Sequence, residues 1–216
     1  MEIFLDSIDF TEIKKYQDFG IVDGLTTNPS LMAGSKIGFY ETVSLLCELV
    51  QGDVSIEVAS TNFEKMVEEG RKILAIAPNV VVKLPMTWPG LKACKYFSSD
   101  GHKVNMTLCF TANQALLAAK AGATYISPFI GRLEDIGEDG LQLIADIKGI
   151  YNAYDFKTKV LAASVRTPEH FMEAALCGAD VATVPAKILS QLVEHDLTDK
   201  GLEKFSQDWL KSGMKI

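Results

Sequence analysis

Short runs of β-branched and aromatic residues recur along the chain. Each is followed by a longer stretch whose apolar residues fall at three- and four-residue spacing. The strand-like runs are Ile3–Asp6, Val22–Thr26, Val54–Val58, Val80–Lys83, Val104–Thr107, Tyr125–Pro128, Val160–Ala163 and Val181–Val184. Within Asn79-Val-Val-Val-Lys-Leu-Pro-Met86, three consecutive valines read as a strand buried on both faces, the pattern of an internal parallel strand. Strands separated by roughly one helix each predict an α/β fold with a parallel sheet, and eight of them predict a (β/α)8 barrel. A doubly wound open sheet is the competing architecture. It uses fewer strands and a glycine-rich first turn, and no Gly-x-Gly-x-x-Gly occurs here.

Helix starts fall shortly after the strands. Thr61-x-x-Glu64 reads as a capping box ahead of an apolar face of Phe63, Met66, Val67 and Leu74. Thr111-x-x-Gln114 reads as another, opening an alanine-rich helix that Gly122 ends. Thr167-Pro168 supplies an N-cap with proline at the first helical position. Two connections run longer, Ser30–Gly38 and the acidic Gly131–Gly140, on the side of a barrel where substrates are met. After the eighth unit one segment is left over. Thr198–Lys211 carries Leu202, Phe205 and Trp209 on one stripe, so the reading is a single barrel domain over 1–216 with an extra C-terminal helix, residues 197–213, covering a neighbouring subunit.

Composition narrows the classes. The chain is 48% apolar and 23% charged, as soluble globular proteins are. No apolar run is long enough for a membrane span, and no basic-then-apolar leader opens the sequence, which predicts a cytoplasmic protein with no membrane partner. The net charge of −7 and the lack of a basic tract argue against nucleic acid. Cys47, Cys94, Cys109 and Cys177 lack Cys-x-x-Cys spacing and read as free thiols, and His102, His170 and His195 share no metal-ligand spacing.

The polar residues sit where barrels do chemistry, at the carboxyl ends of strands. These ends carry Asp6, Thr26-Thr27-Asn28, Glu57, Lys83, Asn105 with Thr107, Ser127, and Ser164 with Arg166; the eighth offers only Thr183 and Pro185. Lys83 closes a buried strand, which is costly for an amine without a task. A solvated lysine has a pKa of about 10.4 and is not nucleophilic, whereas desolvation favours the neutral amine that attacks a carbonyl to form a Schiff base. Asp6 and Glu57 are carboxylates available for acid–base work, and Thr107 is suited to hold a relay water. A structural ion pair with Glu57 or Asp6 is the competing explanation of Lys83. Arg132 and Arg166, next to loop serines after strands six and seven, suit a phosphorylated substrate.

These residues also form recognisable motifs. Leu5-Asp6, Asp23-Gly-Leu-Thr-Thr-Asn-Pro-Ser30, Val82-Lys-Leu-Pro85, Asn105-Met-Thr107, Ser127-Pro-Phe-Ile-Gly-Arg132 and Ala163-Ser-Val-Arg166 resemble the transaldolase family, in its small fructose-6-phosphate aldolase-like subfamily. The resemblance runs from Ile3 to about Trp209. It implies a TIM barrel whose Schiff-base lysine is Lys83, with Asp6 as acid/base and Glu57 and Thr107 activating the catalytic water. It further implies donor-hydroxyl binding by Asn28 and Ser127, phosphate binding by Arg132, Ser164 and Arg166, and a substrate-binding place for Thr26, Asn105 and Phe129. The implied reaction transfers a dihydroxyacetone unit from sedoheptulose 7-phosphate to glyceraldehyde 3-phosphate in the non-oxidative pentose phosphate pathway. No metal or organic cofactor is implied, and the assembly implied is a homo-oligomer, a pentamer or a decamer. Glutamate at Glu57 and phenylalanine at Phe129 match the transaldolases of that subfamily; its aldolases, which release free dihydroxyacetone, carry glutamine and tyrosine. A barrel that binds sugar phosphates without turnover is the reading from another class.

Overall fold

The computed structural model describes residues 1–216. In its first half, β1 (Glu2–Asp6), α1 (Phe10–Asp18), β2 (Gly24–Thr26), α2 (Pro29–Met32), α3 (Phe39–Leu49), β3 (Val54–Glu57), α4 (Phe63–Leu74), β4 (Val80–Pro85) and α5 (Trp88–Ser99) follow one another. The second half holds β5 (Val104–Cys109), α6 (Ala112–Ala121), β6 (Tyr125–Pro128), α7 (Ile130–Glu134), α8 (Gly140–Ala153), β7 (Lys159–Ala162), α9 (Pro168–Leu176), β8 (Val181–Val184), α10 (Ala186–Gln191) and α11 (Asp196–Ser212). The eight strands are parallel and close into a barrel in sequence order, β8 pairing with β1. The predicted TIM barrel is the observed fold.

The apolar strands serve two cores. Residues facing outward, such as Leu5, Leu25, Ile56, Val82 and Val160, pack under the helices in one large buried cluster. Residues facing inward form a smaller one: Phe4, Val81, Tyr125, Leu161, Ala163 and Val181. Phe4 and Tyr125 meet edge to face with centroids 5.8 Å apart. Gly24 makes room for this plug, since a Cβ there would lie 2.6 Å from the Phe4 ring.

The start signals of α6 and α9 hold, with Thr111 and Gln114 forming a capping box and Thr167 accepting from the His170 N–H. For α4 the cap lies one residue later than predicted. Asn62, not Thr61, accepts from the Lys65 N–H, and the buried face is Met66, Gly70 and Ile73. The two long connections contain short helices, α2 and α7, too brief to leave a periodic signal. Helix α11 starts after His195, whose Nδ1 accepts from the Leu197 N–H, and none of its residues is buried. No helix is long and apolar enough to cross a membrane.

Candidate active site

Side chains alternate along a strand, so Asp6 shares an inward face with Phe4, Lys83 with Val81, Ser127 with Tyr125 and Thr183 with Val181. The lower member of each pair belongs to the apolar plug. The upper members line a cavity of about 460 Å³ at the carboxyl ends of the strands. Of the residues singled out from sequence, Asp6, Thr26, Asn28, Glu57, Lys83, Thr107, Ser127, Phe129, Arg132 and Ser164 line it, while Asn105 and Arg166 do not.

Lys83 is 6% exposed. Its Nζ donates to the Thr27 carbonyl at 2.7 Å and lies 3.0 Å from Glu57 Oε2, the two residues being direct partners in the β3–β4 register. The ion pair and the cavity wall therefore coincide: the amine has a partner, and that partner is within reach of its proton. A carboxylate at this distance is placed to exchange a proton with the amine.

Asp6 ends β1 and accepts from the Thr26 hydroxyl at 2.8 Å. Burial pushes its carboxyl above the ordinary range, opposed by the Thr26 hydrogen bond and by the Lys83 charge. A carboxylate whose charged form is disfavoured is suited to taking up a proton.

Strand β5 departs from regular pairing between Met106 and Cys109, with Leu108 in the left-handed region at φ 60°. Just before the irregularity, Thr107 is 1% exposed, and its Oγ1 is the one buried side-chain nitrogen or oxygen without a hydrogen-bond partner. An orphaned buried hydroxyl costs on the order of 1–3 kcal/mol, so this one is poised for a water or substrate oxygen. Asn105 is fully buried. Its amide donates to Ser55 Oγ at 2.9 Å and its carbonyl accepts from Ser127 Oγ at 2.7 Å. Asn105 thus orients Ser127 from beneath the cavity.

Helix α7 and the β7–α9 connection carry the cations, Arg132 and Arg166. The Arg132 guanidinium lies over the Phe129 ring at 4.9 Å. Ser164 adopts φ 57° and accepts the Gly131 N–H at its carbonyl. Gly131 permits this approach, for a Cβ there would lie 2.7 Å from the Ser164 carbonyl oxygen. Arg166 is turned aside, gripped by both carboxylate oxygens of Asp135. These bonds hold Asp135 below the usual carboxylate range. His170 secures the same loop, its Nδ1 accepting from the Arg166 N–H and its Nε2 lying 2.8 Å from Glu134.

Thr183, Leu108, Pro29, Ser30 and Ala163 also line the cavity, and the sequence assigned none of them a role there. Thr183 had a signal, standing two residues after Val181 on the inward face; Leu108 had none, because its exposure to the cavity follows from the irregularity in β5.

This geometry agrees with what related chains are named. A Brucella anthropi protein named probable transaldolase is 59% identical over 216 residues, covering the whole of both chains. A Brucella ovis protein of the same name is 58% identical, again over the full length of both. A Cereibacter sphaeroides probable transaldolase is 56% identical over all of this chain and 99% of its own. Residues 3–216 match the sequence model of one enzyme family. The chain belongs to the transaldolase/fructose-6-phosphate aldolase family.

Proposed function

We propose that the protein is a transaldolase that works through a Schiff base on Lys83. Sedoheptulose 7-phosphate is the donor, glyceraldehyde 3-phosphate the acceptor, and erythrose 4-phosphate and fructose 6-phosphate the products, as in the non-oxidative pentose phosphate pathway of the cytoplasm. The observation that carries this reading is a 6% exposed lysine sharing one cavity with an ion-paired glutamate, a half-buried aspartate and an unpartnered threonine hydroxyl.

In this account Lys83 gives its proton to Glu57 and attacks the donor ketone. The carbinolamine hydroxyl takes a proton through a water on Thr107 and leaves as water, giving the iminium. Asp6 removes the proton of the hydroxyl β to the iminium carbon, the C–C bond breaks, and its electrons settle in the enamine. Erythrose 4-phosphate departs and the acceptor aldehyde takes its place. The enamine carbon then attacks the aldehyde, whose oxygen recovers the proton from Asp6, and hydrolysis returns Lys83. Asn28 and Ser127 are suited to the donor hydroxyls, and Arg132, Ser164 and a released Arg166 to the phosphate.

Phe129 favours transfer over release. Its ring has no proton to give the enamine, so the intermediate survives until an aldehyde arrives, whereas a tyrosine hydroxyl there would favour free dihydroxyacetone. The proposed assembly is a homo-oligomer, a pentamer or decamer. Support comes from α11, where Leu202 and Phe205 are 63% and 70% exposed on an apolar stripe that the chain leaves uncovered. The function is tested by coupled assays of fructose 6-phosphate with and without erythrose 4-phosphate. Turnover that requires the acceptor supports transfer; appreciable dihydroxyacetone without it makes the protein an aldolase.

A further inference from the structure

Three side chains on neighbouring strands form a hydrogen-bonded row at the cavity wall. Strand β1 lies between β8 and β2, with Phe4 paired to Thr183 and Asp6 to Thr26. Thr26 Oγ1 is 2.8 Å from Asp6 Oδ1 and 2.6 Å from Thr183 Oγ1. Both threonines are buried, at 2% and 6% exposure. A threonine hydroxyl has one proton to donate, and an ionised carboxylate has none. Thr26 therefore donates to Asp6, and the proton between the two threonines comes from Thr183. The sense of the row is fixed: Thr183 to Thr26 to Asp6.

We infer that Thr183 is a positioning residue for the acid/base step, holding the Thr26 hydroxyl in the donating orientation that Asp6 needs while ionised. The inference rests on the role proposed for Asp6. A hydroxyl that accepts one hydrogen bond is a stronger donor in the next, so Thr183 strengthens the bond that Asp6 accepts without touching the reacting atoms. Once Asp6 takes the substrate proton, the row can reverse. The new carboxyl O–H donates to Thr26, Thr26 donates to Thr183, and Thr183 turns its proton into the cavity. The ionised and protonated forms of Asp6 thus each have a complete set of partners.

The charged groups facing Asp6 are few. Lys83 on β4 attracts its charge and is itself paired with Glu57 on β3. Arg132 on α7 lines the same cavity, and the flanking strands present only the two hydroxyls. Removing the Thr183 hydroxyl weakens support for the ionised form, so the base form of Asp6 is lost at a higher pH.

The test is the pH profile of kcat/KM for Thr183→Val and Thr183→Ser. The valine variant should shift the acidic limb upward by about half a pH unit, an approximately threefold loss of kcat/KM below the limb, with kcat falling more than KM rises. The serine variant should restore the wild-type limb. Should the valine variant not fold, Thr183→Ala removes the same hydroxyl and carries the same prediction. An unmoved limb in a folded valine or alanine variant, or a serine variant shifted as far as valine, overturns the inference. Asp6→Asn separates the two levels: wild-type activity in that variant would refute the role of Asp6 itself.

Discussion

Both ends of this barrel carry polar groups and use them in opposite ways. At the amino ends, Asp53 accepts from Tyr125 at 2.6 Å and from Lys103 at 2.7 Å, and Asp180 accepts from Lys148 at 2.8 Å and the Val160 N–H at 2.7 Å. Asp23 accepts the Ile3 N–H, Glu2 pairs with Lys159, and Asn79 binds the Val50 carbonyl. Here the partners are complete. At the carboxyl ends the groups converge on a cavity, the Thr107 hydroxyl has no partner, the Asp6 carboxyl is pushed above its ordinary range, and Leu108 and Ser164 stand at positive φ. A barrel end built for stability satisfies its polar groups internally; an end built for a ligand leaves some of that work to the ligand.

Breaking the contrast at Lys83 should have the largest effect. Lys83→Met should lower turnover at least about 10⁴-fold by removing the covalent route, with the barrel still folded by circular dichroism. Asp6→Asn comes next, with a loss of about 10²–10⁴-fold in kcat. The same variant should unfold at a higher temperature than wild type at neutral pH. The sign follows from the raised carboxyl. The ionised form is disfavoured in the folded state, so wild type bears a cost above the folded-state pKa that disappears as pH falls through it. Calorimetry at neutral and acidic pH checks this, and a variant equally stable or less stable at neutral pH would contradict it.

The opposite end should show the reverse pattern. Asp53→Ala leaves the Tyr125 hydroxyl without its acceptor and should lower stability by about 1–3 kcal/mol in denaturant titrations, while kcat/KM at 25 °C stays within about twofold. A large loss of activity without unfolding would end the division between the two faces. The smallest effect is expected at the rim. Asp135→Asn frees Arg166, and KM for a phosphorylated donor should fall about two- to fivefold with kcat unchanged, since the ion pair it breaks is solvent-exposed. A raised KM would mean that Asp135 aims the arginine at the phosphate rather than withholding it.

Much of this contrast was legible in the sequence. The valine run before Lys83 and the polar residue at nearly every strand end follow from local patterning, and they identified the barrel and most of the cavity wall. Four things did not follow. Asn105 and Ser55 are hidden partners because their bond depends on the register between strands, which no single strand reveals. Arg166 is turned aside by Asp135, an effect of side-chain packing across two connections 31 residues apart in sequence. Helices α2 and α7 are too short for periodicity, and the start of α4 was misjudged because Thr61 and Asn62 are both good caps and only geometry chooses between them.

The central claim is that Lys83 becomes covalently bound to the substrate. Incubation with fructose 6-phosphate and borohydride, followed by peptide mass spectrometry, tests it most directly. The account predicts one reduced three-carbon adduct on the peptide containing Lys83, absent from Lys83→Met. An adduct on a different lysine, or none under conditions of full turnover, would contradict it.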